Sequence, residues 1–304
     1  MKIRVSTICK IGGRDYNQDY HAHSVNDKGA CFVVCDGLGS YVGSEVASRL
    51  CATRVVEDFE QVREIDPVRA VRRSFTEAYI ENAHNHVVAH KERNPQISTS
   101  CTTVACAVTN GNTTTFAHIG DSRIYFFRNH KLIYQSKDHS LSQLAVEMGQ
   151  IKLRDIRTHK DQNKLTRVLG SDYYAPADIE TLKAAINPGD SFILCTDGFW
   201  EYVFEEEMEE ILASSDSPNI AMQKMEELLL SRVGKFNDNY TAIIAMVVAD
   251  DEELSALDLE EVEAQNVNEN IDQTAIIEEY GNTLVMDTGD LNDIANQIKE
   301  EDGE

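Results

Sequence analysis

The chain has 304 residues, with 28 Lys and Arg set against 52 Asp and Glu, for a formal net charge of −24. That length allows one large domain or two small ones with an ample core, and an acidic balance without clustered Lys and Arg excludes nucleic-acid binding, which needs cations to neutralise phosphates. No run approaches the ~18 apolar residues of a membrane span, and Met1-Lys2-Ile3-Arg4-Val5 holds no signal core, so no membrane partner and a cytoplasmic location are expected.

The alternating character of residues 3–9 suits an edge strand, followed by a polar loop over 10–19 and a second strand over 20–25. Asn26-Asp27-Lys28-Gly29 then turns into an apolar run that stops at Asp36-Gly37-Leu38-Gly39. Residues 44–60 carry Val46, Ala47, Leu50, Val55 and Phe59 at helical spacing, and Asp66-Pro67 supplies a cap and first-turn proline for a long helix reaching Arg93. His86 and His90 on that helix have i, i+4 spacing but no acidic partner, so His84, His86 and His90 are expected on a solvated face. Thr102 to Val108 and Thr113 to Ile119 read as a hairpin about Asn110-Gly111, and 124–127 with 132–134 as another.

Asp138-His139-Ser140 caps a helix through Met148. Residues 149–177 are polar and irregular, with Lys152, Arg154, Arg157, His159 and Lys160, the pattern of a mobile flap-like insertion that selects substrates. Residues 179–185 and 191–196 are expected to pair as strands, two amphipathic helices follow over 205–213 and 220–233, and 240–249 is the last strand. Strands in two batches, each followed by a helix pair, predict an α+β sandwich rather than alternating βαβ units. The seven cysteines include no CxxC pair and sit mostly in apolar runs, as buried reduced thiols do. Residues 251–304 hold 18 acids and a single Lys299; this tail is expected to be disordered on its own.

Three apolar runs each deliver an aspartate beside a glycine: Asp36-Gly37, Asp197-Gly198 and, in weaker form, Gly120-Asp121. Asn237-Asp238-Asn239 stands before the last strand. One Asp-Gly is an ordinary turn dipeptide, whereas clustered buried acids require cations. Hard ions such as Mg2+ or Mn2+ prefer carboxylate, carbonyl and water oxygens, so a polynuclear metal site is expected. The covalent routes fail on sequence: no arginine follows Cys195 at phosphatase-loop spacing, and no serine sits in a Gly-x-Ser-x-Gly elbow.

The ordered motifs resemble the metal-dependent Ser/Thr protein phosphatases of the type 2C class, in its bacterial-like branch. RDYNQD at 14–19 is similar to the family's opening signature, followed in family order by Asp36-Gly37-Leu38-Gly39, Ser100 to Thr103, Gly120-Asp121-Ser122-Arg123, Asp138-His139-Ser140, 165–170, Thr196-Asp197-Gly198 and Asp238-Asn239. The resemblance covers residues 1–250. It implies a four-layer αββα sandwich, two antiparallel sheets flanked by helix pairs, holding two Mn2+ or Mg2+ ions in the cleft and a third, weaker one. By resemblance, Asp36 bridges two ions, Asp197 and Asp238 complete one, and the Gly37 carbonyl binds the other. Asp121 with Asp197 matches the third position, Arg14 clamps the substrate phosphate and Asp19 is a supporting acid.

Gln18 replaces a common glutamate, which weakens the second ion, and Leu38 stands where eukaryotic members have histidine. The general acid is therefore unassigned, with His118 and His139 as candidates. The implied activity is hydrolysis of phosphoserine and phosphothreonine in proteins by a water shared between two ions, opposite a bacterial Ser/Thr kinase or on its targets. The alternatives are a non-catalytic phosphoprotein scaffold and a small-molecule phosphatase. Thr274, Thr283 and Thr288 in the tail are candidate phosphorylation sites for a phosphothreonine reader.

Overall fold

Strand β1 (Lys2–Lys10) pairs with the last strand, β10 (Tyr240–Val248), at the edge of the first sheet, whose order is completed by β9 (Ser191–Cys195), β6 (Arg123–Arg128) and β7 (Lys131–Gln135). The second sheet runs β2 (Asp19–Asn26), β3 (Gly29–Asp36), β4 (Val104–Thr109), β5 (Thr114–Ile119) and β8 (Asp178–Leu182). Every strand pair is antiparallel. The computed structural model describes residues 2–39 and 41–249, so the expectations for the acidic tail fall outside the described residues.

The central strands read as continuous apolar runs because both of their faces are covered. On β3, Ala30, Phe32 and Val34 face the other sheet, meeting Phe192, Leu194, Ile243 and Ala245. Phe126 and Phe192 set their rings 5.0 Å apart in this layer, and Phe32 lies 5.8 Å from Phe192. Alternate residues of β9 and β10, Ile193, Cys195, Ala242 and Ile244, point outward to a second cluster with Met208, Leu212, Met225 and Leu229. Those methionines and leucines come from α6 (Glu205–Ala213) and α7 (Pro218–Arg232). The opposite sheet is covered by α1 (Ser44–Ile65) and α3 (Arg73–Arg93). The result is the four-layer sandwich expected from the strand and helix batches.

Three local expectations are corrected. The long helix after Asp66 is broken: Asp66 caps a single turn, α2 (Pro67–Ala70), by accepting from the Val68 and Arg69 amides, and Arg72 is extended before α3. The Val71 carbonyl instead accepts from Thr115 Oγ1 at 2.6 Å, a tertiary bond that a continuous helix would preclude. Secondly, β8 and β9 do not pair; they join different sheets, and Ile186 between them is buried in the inter-sheet core. Thirdly, His84 is buried, and its Nδ1 accepts from the Gly170 amide at 3.2 Å. All seven cysteines are free thiols.

This topology brings strand ends together. Because β2 and β3 are antiparallel neighbours, Asp19 at the start of one lies opposite Asp36 at the end of the other. In the facing sheet β9 ends just before Asp197, and β10 begins just after Asp238. The turn between β5 and β6 carries Asp121, and α4 (Leu141–Glu147) follows β7.

Candidate metal centre

Asp36 is fixed through its backbone. Its amide donates to Thr103 Oγ1 at 2.9 Å, and its carbonyl accepts from Thr102 Oγ1 at 2.9 Å and the Thr103 amide at 2.8 Å, leaving the carboxylate to project into the cleft. Gly37 follows where a side chain has no room: a Cβ there would fall 2.4 Å from the Ser44 carbonyl and 2.6 Å from that of Gln18. Asp197 opens the short helix α5 (Asp197–Trp200) and accepts from the Gly198 amide at 2.7 Å. Gly198 is equally obligatory, since its Cβ would meet the Asn239 carbonyl at 2.0 Å. Asp238 accepts from the Asn239 amide at 2.8 Å and from Arg14 Nη2 at 2.5 Å.

Behind these, Asp19 is 5% exposed and accepts from Thr196 Oγ1 at 2.8 Å. Asp121 is 4% exposed, with its carbonyl accepting from Trp200 Nε1 at 2.9 Å.

The electrostatics of the group are those of acids crowded out of water. Burial, then the neighbouring Asp19 and Asp197, push the Asp36 carboxyl well above the usual carboxylate range. Burial does the same to Asp121, with Asp197 the largest charge acting on it. Asp19 is pushed up to about 7 and Asp197 to about 6, burial leading in both. Buried carboxylates that raise one another are compensated by divalent cations. The donor set is all oxygen, as Mg2+ and Mn2+ prefer, and it includes neither thiolate nor imidazole. These residues fit such ions.

The cleft they line has a volume of about 1040 Å3, and Arg14, Gln18, Gly37, Asp36, Asp121, Asp197 and Asp238 all face it. Asp19 lies behind its wall. The structure thus gathers Arg14, Asp36, Gly37, Asp121, Asp197 and Asp238 along one cleft.

Residues 11–230 match the protein phosphatase 2C family. The chain belongs to that family. The Listeria monocytogenes Ser/Thr phosphatase stp is 25% identical over 234 residues, covering 76% of this chain and 90% of that protein. Streptococcus pneumoniae protein phosphatase PhpP is 28% identical over 249 residues, covering 80% and 98%. Among solved structures, Staphylococcus aureus Ser/Thr phosphatase Stp1 superposes with a TM-score of 0.73 at 25% identity over 82% of this chain and 96% of that one. A PstP catalytic domain determined with two manganese ions gives 0.66 at 25% identity over 81% and 99%.

Protein phosphatase 2C membership agrees with the antiparallel double sandwich and with Mn2+ or Mg2+ as cofactor. Two sequence candidates, however, leave the site. His118 and His139 stack with centroids 4.6 Å apart and do not line the cleft. Burial first, then His118, pushes His139 down to about 4, so it holds no second proton to give at neutral pH. With Asp178 they form a trio whose ligand-type atoms lie within 4.8 Å of one another. The Gly120 amide donates to His139 Nδ1 at 3.1 Å, which places the proton of the neutral ring on Nε2, facing Asp178 at 3.3 Å. His139 thereby pins the backbone just before Asp121 and is a hydrogen-bonding residue, not a ligand.

Other residues were absent from the sequence-derived candidates. Asn239 holds the loop that carries Arg14: its Oδ1 accepts from the Gln18 amide at 2.9 Å, and its Nδ2 donates to the carbonyls of Ile11 at 2.7 Å and Tyr16 at 3.1 Å. Arg123 and Asp138, belonging to two separate motifs, form one buried bidentate pair at 2.8 Å, and the guanidinium lies 3.5 Å from the Trp200 ring. Their sequence signal is membership of recognised motifs, Asp238-Asn239, Gly120-Asp121-Ser122-Arg123 and Asp138-His139-Ser140, in which the neighbouring aspartates and histidine drew the attention.

Proposed function

We propose that residues 1–250 form a metal-dependent protein Ser/Thr phosphatase whose reaction is hydrolysis of phosphoserine and phosphothreonine monoesters. The observation that carries this reading is the convergence of Asp36, Asp121, Asp197 and Asp238 with Arg14 on one cleft in a protein phosphatase 2C chain. The relatives stp and PhpP carry phosphatase names, and the PstP catalytic domain holds manganese, which supports the same assignment here.

In this reading Asp36, the Gly37 carbonyl, Asp197 and Asp238 hold two ions, and Asp121 with Asp197 holds a third. When bound, the ions supply charge neutralisation for the phosphoryl group and a water of lowered pKa. Arg14, half exposed at the mouth of the cleft, turns its planar fork to the phosphate oxygens and orients the ester for in-line attack. Asp19 acts from behind, fixing Thr196 and hence the residue that follows it, Asp197. Asn239 keeps the loop bearing Arg14 against the site. Residues 149–177 serve as the flap beside it.

The partners in this reading are phosphoproteins, among them a bacterial Ser/Thr kinase or its targets, in the cytoplasm. The 251–304 segment offers Thr274, Thr283 and Thr288 to a phosphothreonine reader. No observation favours a scaffold or a small-metabolite phosphatase, and the retained aspartates and Arg14 oppose the scaffold. The test is hydrolysis of a phosphothreonine peptide with Mn2+, with Mn2+ plus excess chelator, and by Asp36→Asn. Chelator-sensitive turnover lost in the variant is the expected result; absence of turnover with phosphopeptide still bound would overturn the enzyme in favour of the scaffold.

A further inference from the structure

The cleft is longer than a phosphate ester requires. From the aspartates its lining continues past Leu38 and Cys101 to Val168, Ser171 and Asp172. At that end stands Lys91, in the last turn of α3, with only 9% of its surface exposed. Its Nζ donates to the Gly170 carbonyl at 2.6 Å, and among the described residues it is paired with no carboxylate.

An ammonium carries three N–H donors, so this one keeps donors in reserve beside the cleft. A buried cation with a single neutral acceptor carries an uncompensated desolvation cost. The backbone also holds it in place: Gly170 accepts from Lys91 through its carbonyl and donates to His84 through its amide, so two side chains of α3 fix the later part of the 149–177 segment. Ser98 and Thr99, exposed on the same lining, add hydroxyls able to donate to an anion. Asp172, also exposed there, contributes the opposing charge.

We propose that this end of the cleft is a subsite for a second anionic group on the substrate protein, a phosphate or carboxylate side chain flanking the phosphoserine or phosphothreonine, with Lys91 as the residue that selects it. The proposal rests on the phosphatase reading and adds a substrate class to it. Asp172 limits the selectivity, because it repels the same group.

The experiment compares kcat/KM, with Mn2+, for three phosphothreonine peptides of one sequence: neutral flanks, glutamates scanned through the flanking positions, and a second phosphothreonine at those positions. The full chain is expected to prefer at least one anionic series about tenfold over the neutral peptide, the scale of one charged hydrogen bond. The glutamate and phosphothreonine arms tell which anion is taken. Lys91→Gln should reduce the preference to near unity through KM, and Asp172→Asn should widen it severalfold. A purely structural Lys91 would change all peptides by the same factor. A ratio near one in the unsubstituted chain, or an equal ratio in Lys91→Gln, overturns the subsite. If Lys91→Gln does not fold, Asp172→Asn decides: a wider ratio supports the subsite and an unchanged one overturns it. Hydrolysis of the neutral peptide tests the phosphatase reading separately; should it fail, calorimetric binding of the same peptides still reads the subsite, and equal affinities would overturn it.

Discussion

Arg14 donates from Nη2 to Asp238 Oδ2 at 2.5 Å, so a cation from the opening loop rests on a carboxylate 224 residues later in the chain. The contact ties the proposed phosphate clamp to a proposed metal ligand, and one carboxylate serves both. Asp238 is the largest influence on Arg14, with Asp197 and Asp36 acting in the same direction.

Arg14→Ala therefore separates the two roles. Phosphopeptide kcat/KM should fall by about 10²-fold, the scale of losing one donor to developing charge. Mn2+ affinity, measured by calorimetry, should hold or tighten, because the guanidinium no longer competes for Asp238. Arg14→Lys should recover little, lacking the planar fork. A marked loss of Mn2+ affinity would instead make Arg14 a structural brace for the site.

Asp36→Asn removes a charge from a crowded, dry cluster. Turnover and Mn2+ binding should collapse, yet in chelator the variant should melt no lower than the unsubstituted protein, since the carboxyl is held high by burial and by Asp19 and an amide of the same shape replaces it at little cost. Scanning calorimetry with and without Mn2+ checks this: the metal-induced rise in Tm should vanish, and a large drop in chelator would contradict the reading.

These residues were legible because strand-ending aspartates announce themselves: an apolar run must stop for a reason, and Asp36-Gly37 and Asp197-Gly198 stop two of them. The break at Val71-Arg72 was not legible, since no proline or glycine marks it and the cause, Thr115, is 44 residues away. Pairing of β8 with β9 failed for a similar reason. Asn187-Pro188-Gly189-Asp190 signals a turn, but nothing local tells that the chain changes sheets there. His118 and His139 attracted attention as imidazoles beside recognised motifs, and only packing reveals that they face each other rather than the cleft.

Arg123 and Asp138 offer a test of stability rather than chemistry. Their bidentate pair is almost fully buried, with the two side chains 3% and 2% exposed. Arg123→Ala leaves Asp138 charged without its partner and removes the plate packed on Trp200, which itself holds the Asp121 carbonyl. Unfolding in urea should show a loss of about 3–5 kcal/mol. The double replacement Arg123→Met with Asp138→Leu should lose much less, since no orphaned charge remains. Equal losses would mean that packing on Trp200, not the ion pair, carries the stability.

The pH dependence of metal binding follows from the raised acids. Asp197 is pushed up to about 6 and Asp19 to about 7, burial being the first cause in each. In the metal-free fold these groups keep protons that their unfolded counterparts have lost. They contribute stability at low pH that disappears as pH rises through those values. A cation at Asp197 needs the deprotonated form, so Mn2+ affinity should climb from about pH 5 through the ionisation of Asp197 and continue upward with Asp36, also held well above the usual range, with proton release on binding. The buried His139, pushed down to about 4, acts in the opposite sense on stability, but equally with and without metal. It cancels when the Mn2+-induced change in Tm is followed. That change should grow with pH from about pH 5, and calorimetry in two buffers of different ionisation enthalpy should find protons released near pH 6. A flat profile would remove Asp197 from the ligand set.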